Sequence, residues 1–159
     1  MEKNAEKLLE QYEKFKSILV KVTNENCVKN LDEIFGEKIV LAPRGIKEDE
    51  GGYPGALIDF SLRFASESKS LAGKFKLDPK EAVKVSLLHE LGKIGNTEHD
   101  FYIQQDSDWH REKLGQSYKY NEQCSRVSVA HRTVWITQTS GIRLSEEETV
   151  AILSSQGFH

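Results

Sequence analysis

The segment from Val83 to Gly95 constrains this chain more than any other, because an apolar helical run ends there in charged side chains. Its sequence is VKVSLLHELGKIG, so Gly92, Lys93 and Gly95 follow His89 and Glu90 within five residues. Such a helix end brings an imidazole, a carboxylate and an ammonium group to one region. This pattern is typical of one wall of a phosphate or metal site, and it equally suits a buried helix that ends in a glycine cap. The rest of the sequence has to separate these two interpretations.

The composition is that of an ordinary soluble protein. Its 159 residues are enough for one domain with a sizeable core, and no apolar run approaches the roughly 20 residues of a membrane span. The net charge of -3 argues against a broad nucleic-acid surface, although a locally positive pocket for a small anion remains compatible with it. Cys27 and Cys124 match no metal-ligand spacing, and without a signal peptide we expect free thiols in a cytoplasmic protein.

Hydrophobic periodicity predicts a mainly α-helical fold. Apolar side chains recur three and four residues apart in six segments, which are residues 3–23, 27–35, 56–72, 79–91, 127–139 and 146–155. Local signals set several ends: Asp78 and Pro79 begin one helix, Ser145 opens a capping box, and Gly36 is expected to end the second helix. We expect residues 39–41, before a proline, to be extended.

Two segments between these helices have the composition of binding loops. Residues 43–55 contain four glycines and two prolines, which suits a loop that covers a ligand and equally suits a plain connector. Residues 95–125 are irregular and rich in aromatic side chains, and the runs 101–103 and 117–120 are predicted to pair as a small β-hairpin. The candidate ligand contacts in these two segments are Arg44, Tyr53, Tyr102, Trp109, His110 and Arg111.

Three pieces of sequence occur in a particular order: YPGALIDFSLR at 53–63, LLHELGKIG at 87–95, and WHRE at 109–112 followed by HRT at 131–133. Together they resemble the HD-domain phosphohydrolases, in particular a small phage-type branch of that superfamily. The resemblance implies an HD-like helical bundle whose histidines and aspartates hold one or two divalent metals that bind phosphate and generate hydroxide. We therefore expect one HD-like domain over residues 1–159, in which the N-terminal helical segment 1–36 packs on the HD-like region 40–157.

The chain also departs from that family at its metal-binding positions. Phe60 stands where the family has its first metal-binding histidine, and Glu90 stands in place of an aspartate. Ser155–Gly157 replaces a His-Asp-Gly segment, and the last metal aspartate would lie on a helix beyond His159. Among these family positions only His89 is unchanged, and one histidine with one carboxylate makes a weak metal site.

These departures imply that the chain keeps the ligand pocket of the family and loses its metal-dependent hydrolysis. We expect the protein to bind, and to sequester, a small phosphorylated nucleotide or cyclic-nucleotide signal without hydrolysing it, which would serve phage counter-defence in an infected bacterial cytoplasm. Phe60 gives an apolar floor for a base or ribose, and arginines suit bidentate contact with phosphate. The candidate ligand-binding residues are Arg44, Tyr53, Phe60, His89, Lys93, Tyr102, Trp109, His110, Arg111, His131 and Arg132.

Two alternatives stay open at this point. In the first, His89 and Glu90 act with His131 or His110 in a rebuilt ligand shell, and the protein is an active phosphohydrolase that uses Mn or Mg. In the main hypothesis no metal or cofactor is expected. In the second alternative only the helical scaffold is kept, and the chain is a structural or protein-binding module. The sequence predicts neither broad nucleic-acid binding nor membrane association, and it leaves the oligomeric state open, including a homo-oligomer.

Overall fold

Helices make up most of the computed structural model, which describes residues 4–157. These residues form seven α-helices and one two-stranded antiparallel sheet. The helices are α1 (Ala5–Val22), α2 (Glu25–Leu41), α3 (Ala56–Phe75), α4 (Pro79–Leu88), α5 (Asp108–Leu114), α6 (Val129–Ser140) and α7 (Glu146–Ser154), and the strands are β1 (Tyr102–Gln104) and β2 (Tyr118–Tyr120). The prediction of a mainly helical fold with a small hairpin is confirmed. None of the described helices is long and apolar enough to cross a membrane.

Helices α1 to α4 and α6 share one apolar core. Helix α1 buries Phe15 and Leu19 on one side, because its apolar residues recur at helical spacing, and its other side carries lysines and glutamates. Helix α4 buries Leu87 and Leu88 and lies along α3 in the most extensive helix pair of the fold. The last turn of α4 is therefore fixed in the core. The start predicted for the first helix, at residue 3, lies outside the described residues.

Helix α2 is longer than the sequence indicated. The predicted end at Gly36 and the predicted extended run at 39–41 are both wrong, because α2 continues to Leu41. A Cβ on residue 36 would lie 2.6 Å from Oδ1 of Asp32 and 3.2 Å from the hydroxyl of Tyr12. That hydroxyl donates to Asp32 at 2.8 Å. Gly36 therefore leaves room for the hydrogen bond between Tyr12 of α1 and Asp32 of α2, and it does not end a helix.

Helix α4 ends earlier than predicted. It stops at Leu88, and Leu91–Ile94 form a separate 3-10 turn, so the predicted end at Leu91 is wrong. A Cβ on Gly92 would lie 2.0 Å from the carbonyl oxygen of Val129, so this turn packs directly on the start of α6. The N–H of Gly92 donates to Oγ1 of Thr133 at 2.8 Å. The two residues between helix and turn therefore lie at a bend whose path is set by α6.

Segment 95–125 is more regular than predicted, because it also contains α5. Seven residues are too few to display periodicity, and none of the residues of α5 is buried, so apolar patterning does not mark this helix. The two runs pair as predicted, and the register places Tyr102 opposite Tyr120 and Gln104 opposite Tyr118. The N–H of Ser117 donates to the carbonyl oxygen of Ile46 at 2.9 Å. The two predicted binding loops are thus joined to each other.

The capping box of α7 gives a direct test of the local sequence signals. Oγ of Ser145 accepts from the N–H of Glu148 at 3.1 Å, and the Glu148 carboxylate accepts from the N–H of Ser145 at 2.8 Å. We expect Ser145→Ala to lower the free energy of unfolding by about 1 kcal/mol, measured by urea denaturation. Ser70→Ala, in the exposed interior of α3, is the matched control and should be neutral or slightly stabilising. Equal losses in the two variants would contradict the capping role.

Candidate functional site

A buried carboxylate held by two cations lies at the end of α4. The Glu90 side chain is 5% exposed, and its Oε2 and Oε1 accept from Nε and Nη2 of Arg44 at 2.8 and 3.1 Å. Nζ of Lys93 lies 3.2 Å from Oε1. We call Arg44, Glu90 and Lys93 the charged triad. Because a bidentate guanidinium–carboxylate contact is both strong and geometrically specific, the triad fixes the loop 43–55 against the end of α4.

Hydrogen bonds to one carbonyl group connect the triad to the hairpin. Nζ of Lys93 donates to the carbonyl oxygen of Arg44 at 2.9 Å, and the hydroxyl of Tyr102 donates to the same oxygen at 3.1 Å. Arg44 therefore presents its side chain to Glu90 and its carbonyl group to Lys93 and Tyr102. Three segments that are distant in the sequence meet at this residue.

Burial and ion pairing have different net effects on the pKa values of Glu90 and Lys93. Burial by itself would raise the pKa of Glu90, but the hydrogen bonds from Arg44 and the charges of Lys93 and Arg44 outweigh it and hold this pKa below its usual range. Burial lowers the pKa of Lys93, and the attraction of Glu90 offsets only part of this because Arg44 repels the ammonium group. One carboxylate shared by two cations accounts for the asymmetry. At neutral pH, Glu90 is ionised and both of its oxygens are engaged.

The guanidinium of Arg44 also covers two rings of α3. Its Cζ lies 4.3 Å from the ring centre of Phe60 and 5.3 Å from that of Phe64. A second guanidinium, that of Arg63, lies 4.9 Å from the centre of the Phe60 ring. We call Arg44, Phe60, Arg63 and Phe64 the arginine–phenylalanine surface. Phe60, which the sequence suggested as an apolar floor for a base or ribose, thus packs against two guanidinium groups.

Arg63 is the member of this surface that the sequence reasoning missed. It follows Phe60 by three residues on α3, so helical spacing places the two side chains next to each other, and this was the signal that could have identified it. Arg63 takes part in none of the ion pairs found among residues 4–157. Its charge is therefore not neutralised by a direct carboxylate contact within the described chain.

His89 lies in different surroundings from Glu90. Its ring is 5.6 Å from that of Phe64, and it borders a shallow depression of about 310 Å³ together with Glu67 and Leu71 of α3. Nδ1 lies 3.0 Å from the carbonyl oxygen of Ser86. Because a carbonyl oxygen only accepts, Nδ1 carries the proton of the neutral imidazole and Nε2 keeps its lone pair. The imidazole thus lies beside an aromatic ring in a depression lined by aliphatic, serine and glutamate side chains, whereas the Glu90 carboxylate is held by two cations.

The other two predicted histidines lie at helix starts. His110 and His131 are exposed, and Nδ1 of each lies within 2.7 Å of the serine hydroxyl that caps its own helix, Ser107 for α5 and Ser128 for α6. Within residues 4–157, no group of three or more His, Cys, Asp or Glu side chains is close enough to share a metal ion. The structure therefore does not collect His131 or His110 with His89 and Glu90.

The remaining predicted contacts have structural partners of their own. Arg132 is 2% exposed and donates to the carbonyl oxygens of Gly92 and Ser125 at 3.1 and 2.6 Å, which joins α6 to the 3-10 turn. Arg111 donates to the carbonyl oxygen of Gln105 and pairs with a neighbouring aspartate on α5. We therefore leave both arginines, and the exposed Trp109 of α5, out of the proposed site.

A cavity of about 670 Å³ lies between the C-terminal half of α2 and the hairpin. Lys93 of the triad and Tyr102 of β1 are part of its lining, together with Leu41, Ile94 and Phe101. Pockets of this volume are typical of small-molecule sites. The triad therefore separates two surfaces, this cavity and the arginine–phenylalanine surface.

Of the predicted contacts, the structure brings four together around Glu90, with two more near them and five elsewhere. The four are Arg44, Phe60, Lys93 and Tyr102; Tyr53, which donates to Asp59, and His89 lie near this group; and Trp109, His110, Arg111, His131 and Arg132 lie elsewhere.

Comparisons of the chain with protein-family models, curated proteins and solved structures give no match. The assignment of a function therefore rests on the site itself.

Proposed function

We propose that this protein binds a small phosphorylated nucleotide-like ligand at the arginine–phenylalanine surface and retains it without hydrolysis. The observation that carries the proposal is the engagement of both Glu90 oxygens by Arg44 and Lys93. A carboxylate neutralised in this way is a poor base and a poor metal ligand, and releasing its partners is costly because the pair is buried. Glu90, the carboxylate that would act as a base or a metal ligand, thus has a structural role.

Cationic groups around Phe60 support phosphate as the recognised part of the ligand. Arg44 uses Nε and Nη2 for Glu90, so Nη1 is the edge of this guanidinium that stays available. Arg63 contributes a second guanidinium beside the same ring. Among residues 4–157 Arg44 is ion-paired with Glu90 and Arg63 with no carboxylate, so the two guanidinium groups of this surface outnumber the carboxylates that they contact. Guanidinium groups match the planar, bidentate geometry of phosphate contacts better than ammonium groups do.

We further propose that the fold is an HD-like bundle in which a guanidinium has taken the position of a metal ion. Phe60, in place of the family's first metal-binding histidine, lies under the Arg44 guanidinium that pairs with Glu90. The positive charge of Arg44 thus compensates the carboxylate that a metal would otherwise compensate. A protein of this kind would sequester a nucleotide signal in an infected cell, in keeping with phage counter-defence.

The function is tested by incubating the purified protein with mono-, di- and cyclic nucleotides, with and without Mg or Mn, and analysing the mixture by mass spectrometry. We expect one nucleotide to be returned unchanged after heat denaturation. Arg63→Ala should weaken its binding by about tenfold, the loss of one contact to a charged group. Arg126→Ala, an exposed arginine outside the site, is the matched control and should leave the affinity unchanged.

The alternative function, a metal-dependent phosphohydrolase, has one observation in its favour. The contact between His89 Nδ1 and the carbonyl oxygen of Ser86 leaves Nε2 as a lone-pair donor, which is also the orientation of a metal-bound histidine. Conversion of a nucleotide to product on addition of Mg or Mn would therefore overturn the retention proposal and favour hydrolysis. If the protein binds none of the phosphorylated nucleotides, the binding proposal is overturned. The remaining hypothesis is then a structural or protein-interaction module.

A further inference from the structure

We propose that the cavity between α2 and the hairpin is a separate binding site for a flat, uncharged nitrogen heterocycle of two fused rings. We call it the hairpin cavity. None of the residues that line it belongs to the arginine–phenylalanine surface, and the two are connected through the bonds that Lys93 and Tyr102 make to the Arg44 carbonyl oxygen. The proposal therefore does not depend on the function proposed above.

The walls of the hairpin cavity suit a flat apolar ring system. Its volume is about 670 Å³, and its apolar lining consists of Leu41, Ala42, Pro43, Pro54, Ile94, Phe101 and Ile103. The Phe101 ring is held in place, since its centre lies 4.8 Å from that of Tyr102 and 5.4 Å from that of Tyr120, and the guanidinium of Arg132 lies 5.2 Å from it. A fixed ring of this kind offers a stacking partner at low entropic cost.

A hydrogen-bond donor and an acceptor lie side by side in the cavity wall. Nζ of Lys93 has three N–H groups, of which two are used by Glu90 and the Arg44 carbonyl group. The hydroxyl of Tyr102 donates to that carbonyl group and so keeps its own lone pairs for a ligand. Because both groups are bonded to one oxygen atom, they are neighbours at a fixed distance. Adjacent acceptor and donor atoms on the edge of a nitrogen heterocycle match this pair.

The charges that line the hairpin cavity cancel, which favours an uncharged ligand. The lining contains the cations Lys38 and Lys93 and the anions Glu37 and Asp100. Lys38 is paired with Asp100, and Lys93 is paired with Glu90 directly behind the wall. A phosphate would meet no excess of positive charge here, in contrast to the arginine–phenylalanine surface. The two sites are therefore expected to differ in the kind of molecule they take.

The test uses isothermal titration of the full-length protein with two probes, adenine and indole. Adenine carries neighbouring acceptor and donor atoms, whereas indole has the same flat bicyclic shape and a donor only. We expect adenine to bind at least about tenfold more tightly than indole, the discrimination of one satisfied polar pair. Tyr102→Phe should remove most of this preference. Equal affinity for the two probes, or no binding of adenine, would overturn the proposal.

Two further variants locate the site. Leu41 is 55% exposed at the rim of the cavity, so Leu41→Trp should leave the fold intact and weaken adenine binding by about tenfold or more through a built-in clash. Val150→Trp, on an exposed position of α7, is the matched control and should change nothing. Arg63→Ala should also leave adenine binding unchanged, which separates this result from the nucleotide experiment. Adenine binding that survives Leu41→Trp would place the ligand elsewhere and overturn the proposal.

Discussion

Gly92→Ala should lower the free energy of unfolding by about 3 kcal/mol or more. The added Cβ would lie 2.0 Å from the carbonyl oxygen of Val129 and 2.8 Å from its carbonyl carbon, so the clash is with backbone atoms that have no rotamer to change. The residue cannot move aside easily, because its N–H donates to Thr133 and its carbonyl oxygen accepts from Arg132. Urea denaturation followed by circular dichroism measures the loss.

Gly73→Ala is the matched control for this substitution, since it adds the same methyl group to another helix. A Cβ on Gly73, in the last turn of α3, would meet no atom within 4 Å. Alanine there should raise the free energy of unfolding by about 0.5 to 1 kcal/mol, because the unfolded chain loses freedom. A Gly92→Ala variant as stable as the wild type would mean that the 3-10 turn does not pack on α6 as described.

Gly36 and Gly92 illustrate which parts of the fold the sequence could predict. Helix starts at Pro79 and Glu146 were predicted correctly because the signal is local: a capping side chain, a proline or a capping box within one turn. The ends at Gly36 and Gly92 were not, because the role of each glycine includes a contact with a residue far away in the chain, Tyr12 for Gly36 and Val129 for Gly92. A glycine required for close approach looks the same in sequence as a glycine that caps a helix.

The sequence could predict which residues belong to the site, but it could not predict the hydrogen bonds and ion pairs among them. Arg44, Lys93 and Tyr102 were each identified as ligand contacts, but nothing in their spacing indicates that Arg44 and Lys93 share Glu90. Arg132 was assigned to phosphate, although it precedes the buried Ile136 by four residues and so lies on the inner face of α6. Periodicity could have corrected that assignment, whereas the charged triad arises only from tertiary contacts.

Arg44→Met is the second substitution with a large expected effect. It leaves the buried carboxylate of Glu90 with one cation, and loss of one partner from a buried pair costs about 3 to 5 kcal/mol. Since a quarter of the Arg44 side chain is exposed, at 25%, we expect the lower end of that range. Lys47→Met, an exposed residue of the same loop, is the matched control and should change the free energy of unfolding by less than about 0.5 kcal/mol.

The pH dependence of this loss identifies its cause. In the wild type the folded-state pKa of Glu90 lies below its unfolded value, so its stabilisation is present above the unfolded pKa and is lost as the pH falls through the folded one. Without Arg44, burial raises this pKa, and the folded variant takes up a proton more readily than the folded wild type. The difference in free energy of unfolding should therefore shrink between about pH 7 and about pH 4. A difference that stays constant over this range would attribute the loss to packing of Arg44 on Phe60 and Phe64, and not to the charge of Glu90.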